Sequence, residues 1–378
     1  MKIGITCYPT VGGSGIVATE LGKYLAEKGH IVHFITSGMP FRLGKYYPNI
    51  YFHEVDVTSY SVFQFPPYDL TLASRMAQVA KNEKLDLLHV HYAVPHAVSA
   101  YLAKQMVGDQ LKVVTTLHGT DITVLGYDHT LKDIIRLGIE NSDAVTAVSE
   151  DLITQTRDLL QVKKPIELVY NFIDSREYYP REMSRFRKDY APHGEPVFIH
   201  ISNFRKVKRV CDVVRIFHKI TQSVSAKLLM VGEGPEIPVV RELADELGVS
   251  EDITYLGKQE DVACVLSMAD VLLLPSEKES FGLAALEAMA CGKPVISSNA
   301  GGLPEVIQDG VTGYVLPIGD IQGMAEKGIL LATNKELYQS FSEQSIKRAH
   351  GVFSHEKIAE QYEEIYERVV TGNVCSKR

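Results

Sequence analysis

Residues 271–297 read VLLLPSEKESFGLAALEAMACGKPVIS. The apolar run at residues 271–274 predicts a buried strand, residues 282–290 predict a helix, and residues 294–297 predict a second strand. A strand, a helix and another strand in this order form a βαβ unit, whose two strands run parallel. The stretch therefore predicts a parallel sheet that is covered by helices on both faces.

The same alternation continues on both sides of this stretch and divides into two series. The first series has predicted strands at residues 3–7, 31–35, 87–90, 113–117 and 144–148, with helices at residues 15–28, 70–82 and 95–105. The second series has strands at residues 197–201, 228–231, 253–256, 271–274 and 294–297, with helices at residues 210–220, 235–247, 262–268 and 282–290. This rhythm predicts two doubly wound α/β domains.

A polar stretch at residues 174–195, which contains two prolines and a glycine, separates the two series. Stretches of this composition typically connect domains. The chain after Asp320 reads as helical throughout, and in two-domain proteins of this kind the last helix often packs on the first domain. We therefore predict Rossmann-like domains at residues 1–172 and 173–352, and a C-terminal helix in residues 353–378 that crosses back to the first domain.

The composition limits the classes of function. A net charge of −8 on 378 residues argues against a general nucleic-acid-binding protein, because phosphate backbones recruit basic surfaces. The five cysteines form no Cys-x-x-Cys pair, which fits a reducing compartment and indicates neither a disulfide framework nor a zinc site. No apolar run reaches the roughly 18 residues that span a bilayer, and no signal-peptide pattern opens the sequence. We expect a soluble, cytoplasmic protein with no nucleic-acid or membrane partner.

Two loops that follow predicted strands suit an anionic ligand. Residues 8–15, YPTVGGSG, lead into a helix, where glycines permit close backbone approach and free N–H groups attract anions. Residues 203–209, NFRKVKR, place four cations at the sheet edge where open α/β domains bind ligands. The plainer interpretation of residues 8–15 is a tight turn that binds nothing, and that of residues 203–209 is a solvated basic loop. The glycine spacing is not Gly-x-Gly-x-x-Gly, and Thr36 and Ser37 replace a ribose-binding acid, which disfavours a nicotinamide-dependent oxidoreductase.

Glu279 and Glu287 lie at different heights around the helix predicted at residues 282–290. Glu279 precedes this helix, Glu287 is expected about two turns into it, and the free N–H groups at its start suit phosphate oxygens. An elongated ligand would place a sugar at one carboxylate and a ribose at the other. Taken alone, the two glutamates have a plainer interpretation. Glu279 would be a negative charge that interacts favourably with the helix dipole, and Glu287 would be a surface residue.

These glutamates stand in a series of motifs that resembles the retaining GT-B glycosyltransferases of family four over essentially the whole chain. The motifs are ISNFRKVK at residues 201–208, VGEGP at 231–235, AGGLPE at 300–305 and DGVTG at 309–313. The resemblance implies an α/β GT-B fold, with two Rossmann-like doubly wound parallel-sheet domains that face each other across a cleft. It also implies that the second domain binds a nucleotide sugar and the first binds the acceptor.

The resemblance implies a role for each matching residue. Glu279 would bind hydroxyls of the donor sugar, Lys208 the diphosphate, and His118 the donor sugar. The family usually has an arginine five residues before the lysine, but Asn203 stands there in this chain, so we infer that Arg205 supplies the charge. We predict Glu279, Lys208, Arg205 and His118 as catalytic residues, and as donor-binding residues Gly13, Asn203, Gly232, Glu233, Gly257, Ser280, Phe281, Gly282, Leu283 and, at the ribose, Glu287.

The first domain narrows the resemblance to one group within the family. Residues 6–15, 89–95 and 117–124 resemble the members that transfer N-acetylglucosamine from UDP-N-acetylglucosamine to the hydroxyl of L-malate, the first step of bacillithiol biosynthesis. Neither a metal nor another cofactor is expected, since the sequence contains no Asp-x-Asp motif, and a homo-oligomer is a family-based expectation. The predicted acceptor-binding residues are Ser14, Tyr92 and Thr120, with Arg42 and Lys45 as cationic candidates.

Several alternatives stay open at this point. A related transferase would use an inositol phosphate, a sugar or a lipid-linked glycan as acceptor, and a non-catalytic UDP-sugar-binding protein would share the donor residues. His89, His91 and His96 suggest a metal site, but a third ligand at suitable spacing is lacking. We interpret these histidines as core or cleft residues.

Overall fold

The computed structural model describes residues 1–9, 12–44, 46–57 and 65–372. The chain divides into two compact units. The first comprises Met1–Asn171 together with the C-terminal helix that begins at His355, and the second comprises Phe172–Ser354.

Within the described residues, the first unit contains a seven-stranded parallel sheet of order β3-β2-β1-β4-β5-β6-β7. Its strands are β1 Lys2–Thr6, β2 Ile31–Thr36, β3 Ile50–Glu54, β4 Leu87–His91, β5 Lys112–Leu117, β6 Ala144–Ala147 and β7 Ile166–Leu168. Its α-helices are α1 Gly13–Glu27, α2 Tyr68–Glu83, α3 Val98–Val107, α4 Thr120–Thr123, α5 Lys132–Glu140 and α6 Glu150–Leu160.

The second unit contains a six-stranded parallel sheet of order β10-β9-β8-β11-β12-β13, again counted over the described residues. Its strands are β8 Val197–Ile201, β9 Lys227–Val231, β10 Ile253–Gly257, β11 Val271–Leu274, β12 Val295–Ser298 and β13 Gly313–Leu316. Its α-helices are α7 Ser184–Arg187, α8 Val210–Thr221, α9 Ile237–Glu246, α10 Val262–Met268, α11 Leu283–Ala290, α12 Leu303–Val306, α13 Ile321–Thr333 and α14 Lys335–Val352, and α15 His355–Thr371 belongs to the first unit.

Each sheet reverses its strand order at one point in its interior. In the first unit the reversal lies between β1 and β4, and in the second it lies between β8 and β11. The loops that leave the carboxyl ends of two such strands diverge to opposite faces and open a crevice, which is where doubly wound sheets bind ligands. The loop after β8 carries Lys208 and the loop after β11 carries Glu279.

The sequence pattern missed three strands, and all three lie at the edge of a sheet. They are β3, β7 and β13. An edge strand has a neighbour on one side alone and is less buried, as in the mixed burial of Ile50–Glu54, so its apolar signal is weak. The region after Asp320 is helical, as predicted, and consists of the three helices α13, α14 and α15. Helix α3 begins at Val98, after a short π-helical turn at Ala93–Ala97 that contains the cis Val94–Pro95 bond.

Helix α15 is attached to the first sheet by buried tyrosines. The Tyr366 hydroxyl lies 2.7 Å from Nδ1 of His89 in β4, and the Tyr362 hydroxyl lies 3.2 Å from Oγ1 of Thr116 in β5. These contacts satisfy polar groups in the interior, where an unpaired group would cost about 1–3 kcal/mol. In the part of the chain that the structure describes, no helix is long and apolar enough to cross a membrane.

Candidate active site

Lys208 and Glu279 form an ion pair at the strand-order reversal of the second sheet. Nζ of Lys208 donates a hydrogen bond of 2.5 Å to Oε1 of Glu279, which also accepts one of 3.0 Å from Oγ of Ser276. Their side chains are 19% and 13% exposed, so the pair is screened from most of the solvent. The backbone N–H of Glu277 donates to the carbonyl of Val207, which ties the two loops together. Two predicted catalytic residues 71 positions apart in sequence are thus in direct contact.

The other cations of the 203–209 cluster behave differently. Arg209 forms an ion pair with Asp212 in the first turn of α8, and Arg215 pairs with the same carboxylate. Asn203 and Arg205 are exposed, and Arg205 forms no ion pair among the described residues. Lys208 is therefore the cation of this cluster that the structure places at Glu279.

The start of α11 offers backbone groups instead of side chains. Gly282 precedes the helix with a φ of +100°, and a Cβ atom at this position would lie 2.5 Å from Cδ2 of Leu303. The Phe281 side chain is buried and packs on the ring of Phe353. Ser280 and Phe281 precede this start, and a ligand can meet Gly282 and Leu283 through the N–H groups of a helix N-terminus, which suit phosphate oxygens.

Glu287 is buried and is held by a residue that the sequence analysis missed. The hydroxyl of Tyr178 donates a hydrogen bond of 2.7 Å to Oε1 of Glu287. Because α11 begins at Leu283, Glu287 lies about one turn into the helix, and the expected two turns are wrong. Tyr178 is 109 positions away, within the stretch that connects the two predicted domains, so no local pattern links it to Glu287.

Gly232, which follows β9, is required by the fold itself. Gly232 has a φ of +122°, and a Cβ atom there would lie 1.9 Å from the carbonyl oxygen of Ser202. Its N–H donates to the carbonyl of Gly257, which brings these two predicted donor-binding residues together. Glu233 is half exposed and forms an ion pair with Lys258.

Three predicted acceptor-binding residues meet in the first unit. Oγ of Ser14 donates a hydrogen bond of 3.1 Å to the hydroxyl of Tyr92, and the side chain of Thr120 lies near the same hydroxyl. Gly13 and Ser14 open α1, and the ring of His118 lies beside that of Tyr92, with 5.6 Å between centroids. The loops after β1, β4 and β5 thus supply a group of neutral hydroxyls and one imidazole.

Of the two cationic candidates for the acceptor, the structure describes Arg42. Arg42 lies in the turn after β2 with a φ of +69°, and its guanidinium carbon is 5.8 Å from the centre of the Phe41 ring. Lys45 lies outside the described residues.

Four histidines of the first unit lie close together at the carboxyl ends of β4 and β5. His89 contacts Tyr366 and Thr116, and Nδ1 of His91 lies 2.7 Å from Nε2 of His118. Burial lowers the pKa of His89 and of His118 to about 3 and that of His96 to about 4, and it holds the pKa of His91 well below its usual value. These histidines are therefore neutral near pH 7. Across residues 1–9, 12–44, 46–57 and 65–372, no group of three or more His, Cys, Asp or Glu side chains is arranged so that it could hold a metal ion.

Asp121 is a second residue that the sequence analysis missed. Its buried carboxylate accepts hydrogen bonds of 2.9 Å from the N–H groups of Ala93 and Gly119, and so joins the loop after β4 to the loop after β5. Burial raises the pKa of Asp121 to about 6. The sequence around Asp121 does not reveal this role, because both of its hydrogen-bond partners are backbone N–H groups.

The two units and their sites define a class of protein. The model of "Glycosyltransferase Family 4" matches residues 11–177, and the model of "Glycosyl transferases group 1" matches residues 183–348. The chain belongs to this glycosyltransferase family and is an enzyme of the glycosyltransferase class, which rules out the oxidoreductase alternative.

Individual relatives have names that specify particular reactions. The chain is 58% identical over 378 residues to the N-acetyl-alpha-D-glucosaminyl L-malate synthase of Bacillus anthracis, which covers 100% of this chain and 99% of that protein. It is 28% identical over 280 residues to the D-inositol 3-phosphate glycosyltransferase of Mycobacterium marinum, or 66% of this chain and 59% of that one.

Solved structures show the same GT-B fold. A glycosyltransferase from Rickettsia africae superimposes with a TM-score of 0.83 at 22% identity, over 98% of this chain and 99% of that one. Anabaena HepE in complex with UDP and glucose superimposes with a TM-score of 0.82 at 19% identity, over 97% and 99%. These likenesses establish the fold predicted from the motifs.

The buried histidines predict that the protein loses stability in mild acid. In the unfolded chain a histidine titrates near 6.5, whereas in the folded protein His89, His96 and His118 titrate near 3–4. Below about pH 6.5 the unfolded state binds more protons, so each of these histidines lowers the free energy of unfolding by about 1.4 kcal/mol per pH unit. The raised pKa values of Asp121 and Asp69 act in the opposite direction, but these two groups are outnumbered by the buried histidines. We expect the thermal midpoint to fall between pH 7.5 and pH 5.5.

Two variants test this origin of the pH dependence. His96→Asn retains a donor for the carbonyl that His96 contacts but removes a titrating group, so its midpoint should depend less on pH. His129→Gln removes an exposed histidine and should leave the pH dependence unchanged. A wild-type thermal midpoint that does not change between pH 7.5 and pH 5.5, or that rises towards pH 5.5, would contradict this explanation.

Proposed function

We propose that this enzyme transfers N-acetylglucosamine from UDP-N-acetylglucosamine to the hydroxyl of L-malate, with retention at the anomeric carbon. The observation that carries the proposal is the 58% identity, over the full length, to a relative named for this reaction. The contacts around Lys208–Glu279 and around Ser14–Tyr92 give the proposed chemistry a physical basis. The reaction is the first step of bacillithiol biosynthesis.

The donor residues belong mainly to the second unit. One carboxylate oxygen of Glu279 is occupied by Lys208 and Ser276, and Oε2 has no hydrogen-bond partner among the described residues, so it is available to a sugar hydroxyl. Lys208 has three N–H donors and spends one on Glu279, which leaves donors for the diphosphate. Tyr178 fixes the carboxylate of Glu287 in one orientation, in which it would accept hydrogen bonds from the ribose hydroxyls.

L-Malate carries two carboxylates, and the acceptor site needs donors for both. The hydroxyls of Ser14, Tyr92 and Thr120 supply neutral donors, and burial raises the pKa of Tyr92, so its phenol keeps its proton. A cation is also required, and we assign it to Arg42 or Lys45.

The bonds of the transfer balance without a protein nucleophile. The bond from the anomeric carbon to the β-phosphate oxygen breaks, and the malate hydroxyl oxygen bonds to the same face of the sugar. The hydroxyl proton passes to the departing phosphate oxygen, and the products are the malate glycoside and UDP. Lys208, Arg205 and the N–H groups at Gly282 and Leu283 stabilise the charge that develops on the diphosphate.

We further propose that the enzyme needs no metal or other cofactor and works in the cytoplasm. The cationic and N–H groups around the proposed diphosphate site take the place of a divalent ion. Cys7, Cys211, Cys264 and Cys291 are unpaired, which fits a reducing compartment.

An acceptor comparison tests the proposed substrate. UDP-N-acetylglucosamine is offered with L-malate, D-malate, succinate or D-inositol 3-phosphate while UDP release and product mass are followed. L-Malate should release UDP and form the glycoside, succinate should inhibit without forming product because it lacks the hydroxyl, and D-malate should react poorly. If D-inositol 3-phosphate supports release and L-malate does not, the acceptor assignment is wrong.

The two glutamates should differ in what their replacement impairs. Glu279→Gln is expected to lower kcat by about 10²-fold or more, as for loss of a group that stabilises the transition state, with little change in UDP affinity. Glu287→Ala should weaken UDP binding by about tenfold or more, since a hydrogen bond to a charged group contributes about 1.5–3 kcal/mol. Calorimetric titration of UDP and initial rates measure both effects. Equal losses of UDP affinity in the two variants would contradict this division of roles.

The absence of a metal requirement is tested by chelation. Enzyme treated with EDTA and passed through a desalting column should retain its rate, because positive side chains and helix N–H groups stabilise the leaving diphosphate. Lys208→Ala, which leaves Glu279 without its cation, should cost about 2–5 kcal/mol in transition-state stabilisation. Activity that disappears on chelation and returns with Mg²⁺ or Mn²⁺ would overturn the proposal.

A further inference from the structure

His91 has no role in the proposed reaction, yet it is fully buried against His118. His91 ends β4 and His118 follows the adjacent parallel strand β5, so the two imidazoles meet where their strands end. Nδ1 of His91 lies 2.7 Å from Nε2 of His118, and the rings are stacked with 5.0 Å between centroids. A hydrogen bond of this length holds one proton between the two nitrogens.

The position of that proton follows from the other ring nitrogen of His91. Both imidazoles are neutral, since burial lowers the pKa of each. Nε2 of His91 is buried and has no hydrogen-bond partner among the described residues. If His118 donated the shared proton, His91 would have to carry its own proton on Nε2 as an N–H without an acceptor. Buried N–H groups without acceptors are rarer in proteins than unsatisfied acceptors, and one costs about 1–3 kcal/mol.

The opposite arrangement places a bare lone pair at Nε2 of His91. A neighbouring histidine adopts the same form, because Nδ1 of His96 contacts the carbonyl oxygen of His91 and must donate to it. Nε2 of His96 is likewise buried without a partner among the described residues, so it is also a bare nitrogen. Both histidines are therefore protonated at Nδ1.

The geometry points to His91 as a positioning residue that holds His118 in the tautomer protonated at Nδ1. Nδ1 of His118 has no hydrogen-bond partner among the described residues and is not a buried unpaired atom, so it is accessible to a ligand. His118 then presents an N–H donor to an oxygen of the substrate and has no free lone pair with which to act as a base. That His118 meets the substrate rests on the proposed function.

This tautomer is consistent with the path of the hydroxyl proton in the proposed transfer. His118 cannot accept the proton of the acceptor hydroxyl, because its single lone pair is engaged by His91. The proton must therefore leave by another route, and the departing phosphate oxygen provides one.

The tautomer is measured by long-range ¹H–¹⁵N NMR of the full-length enzyme labelled at histidine, without substrate, with the His118 signals assigned by their loss in His118→Gln. The wild type should show a protonated Nδ1 and a bare Nε2 at His118. His91→Asn supplies an amide donor and should preserve this form, whereas His91→Asp offers acceptors alone and should draw the proton to Nε2. A wild-type His118 protonated at Nε2 would overturn the inference.

Kinetic measurements distinguish a positioning role of His91 from a role in packing alone. His91→Asp and His91→Phe should lower kcat by about tenfold or more, equivalent to about 1.4 kcal/mol, and His91→Asn should restore most of it. Equal rates for His91→Asn and His91→Asp would also overturn the inference. The NMR result needs no acceptor, so failure of L-malate in the acceptor assay would refute the proposed function and leave the tautomer assignment standing.

Discussion

The parallel pairing of strands at the two reversals of strand order is the constraint on which the sites depend. Parallel strands end at the same edge of their sheet, and the loops after two strands at a reversal must part to opposite faces. In the second unit this constraint, with a backbone hydrogen bond between Glu277 and Val207, brings Lys208 to Glu279. In the first unit it brings Ser14, after β1, to Tyr92, after β4.

The two sites use different physical means to hold their side chains. The second unit relies on charge, because Lys208 with Glu279 and Arg209 with Asp212 are ion pairs in partly buried surroundings. Apart from the carboxylate of Asp121, the first unit relies on neutral groups, since its histidines have depressed pKa values and its tyrosines retain their protons. A neutral interior that contains many hydrogen bonds costs less desolvation than buried charge. It also gives each imidazole a defined tautomer.

Helix α15 connects the end of the chain to this neutral interior. Tyr366 hydrogen-bonds His89, whose ring lies 4.4 Å from that of His91, and His91 in turn contacts His118. Hydrogen bonds in a buried network of this kind are strengthened by the low dielectric of the interior. The last helix therefore supports the imidazole that we assign to the substrate.

The sequence by itself determined the two α/β units, the parallel sheets and the loops that carry the site, because apolar periodicity and glycine-rich turns are local signals. Its motifs also predicted Glu279, Lys208, Ser14 and Tyr92 as site residues, and the structure shows Lys208 in contact with Glu279 and Ser14 in contact with Tyr92. Only the tertiary structure decided that Tyr178 holds Glu287, that Asp121 joins two loops, and that His91 contacts His118. These contacts join residues that are far apart in sequence or that meet through backbone groups. The edge strands β3, β7 and β13 were missed for a different reason, because their partial burial weakens the apolar pattern. Hydrogen-bond partners depend on where the chain returns in space, which no local pattern encodes.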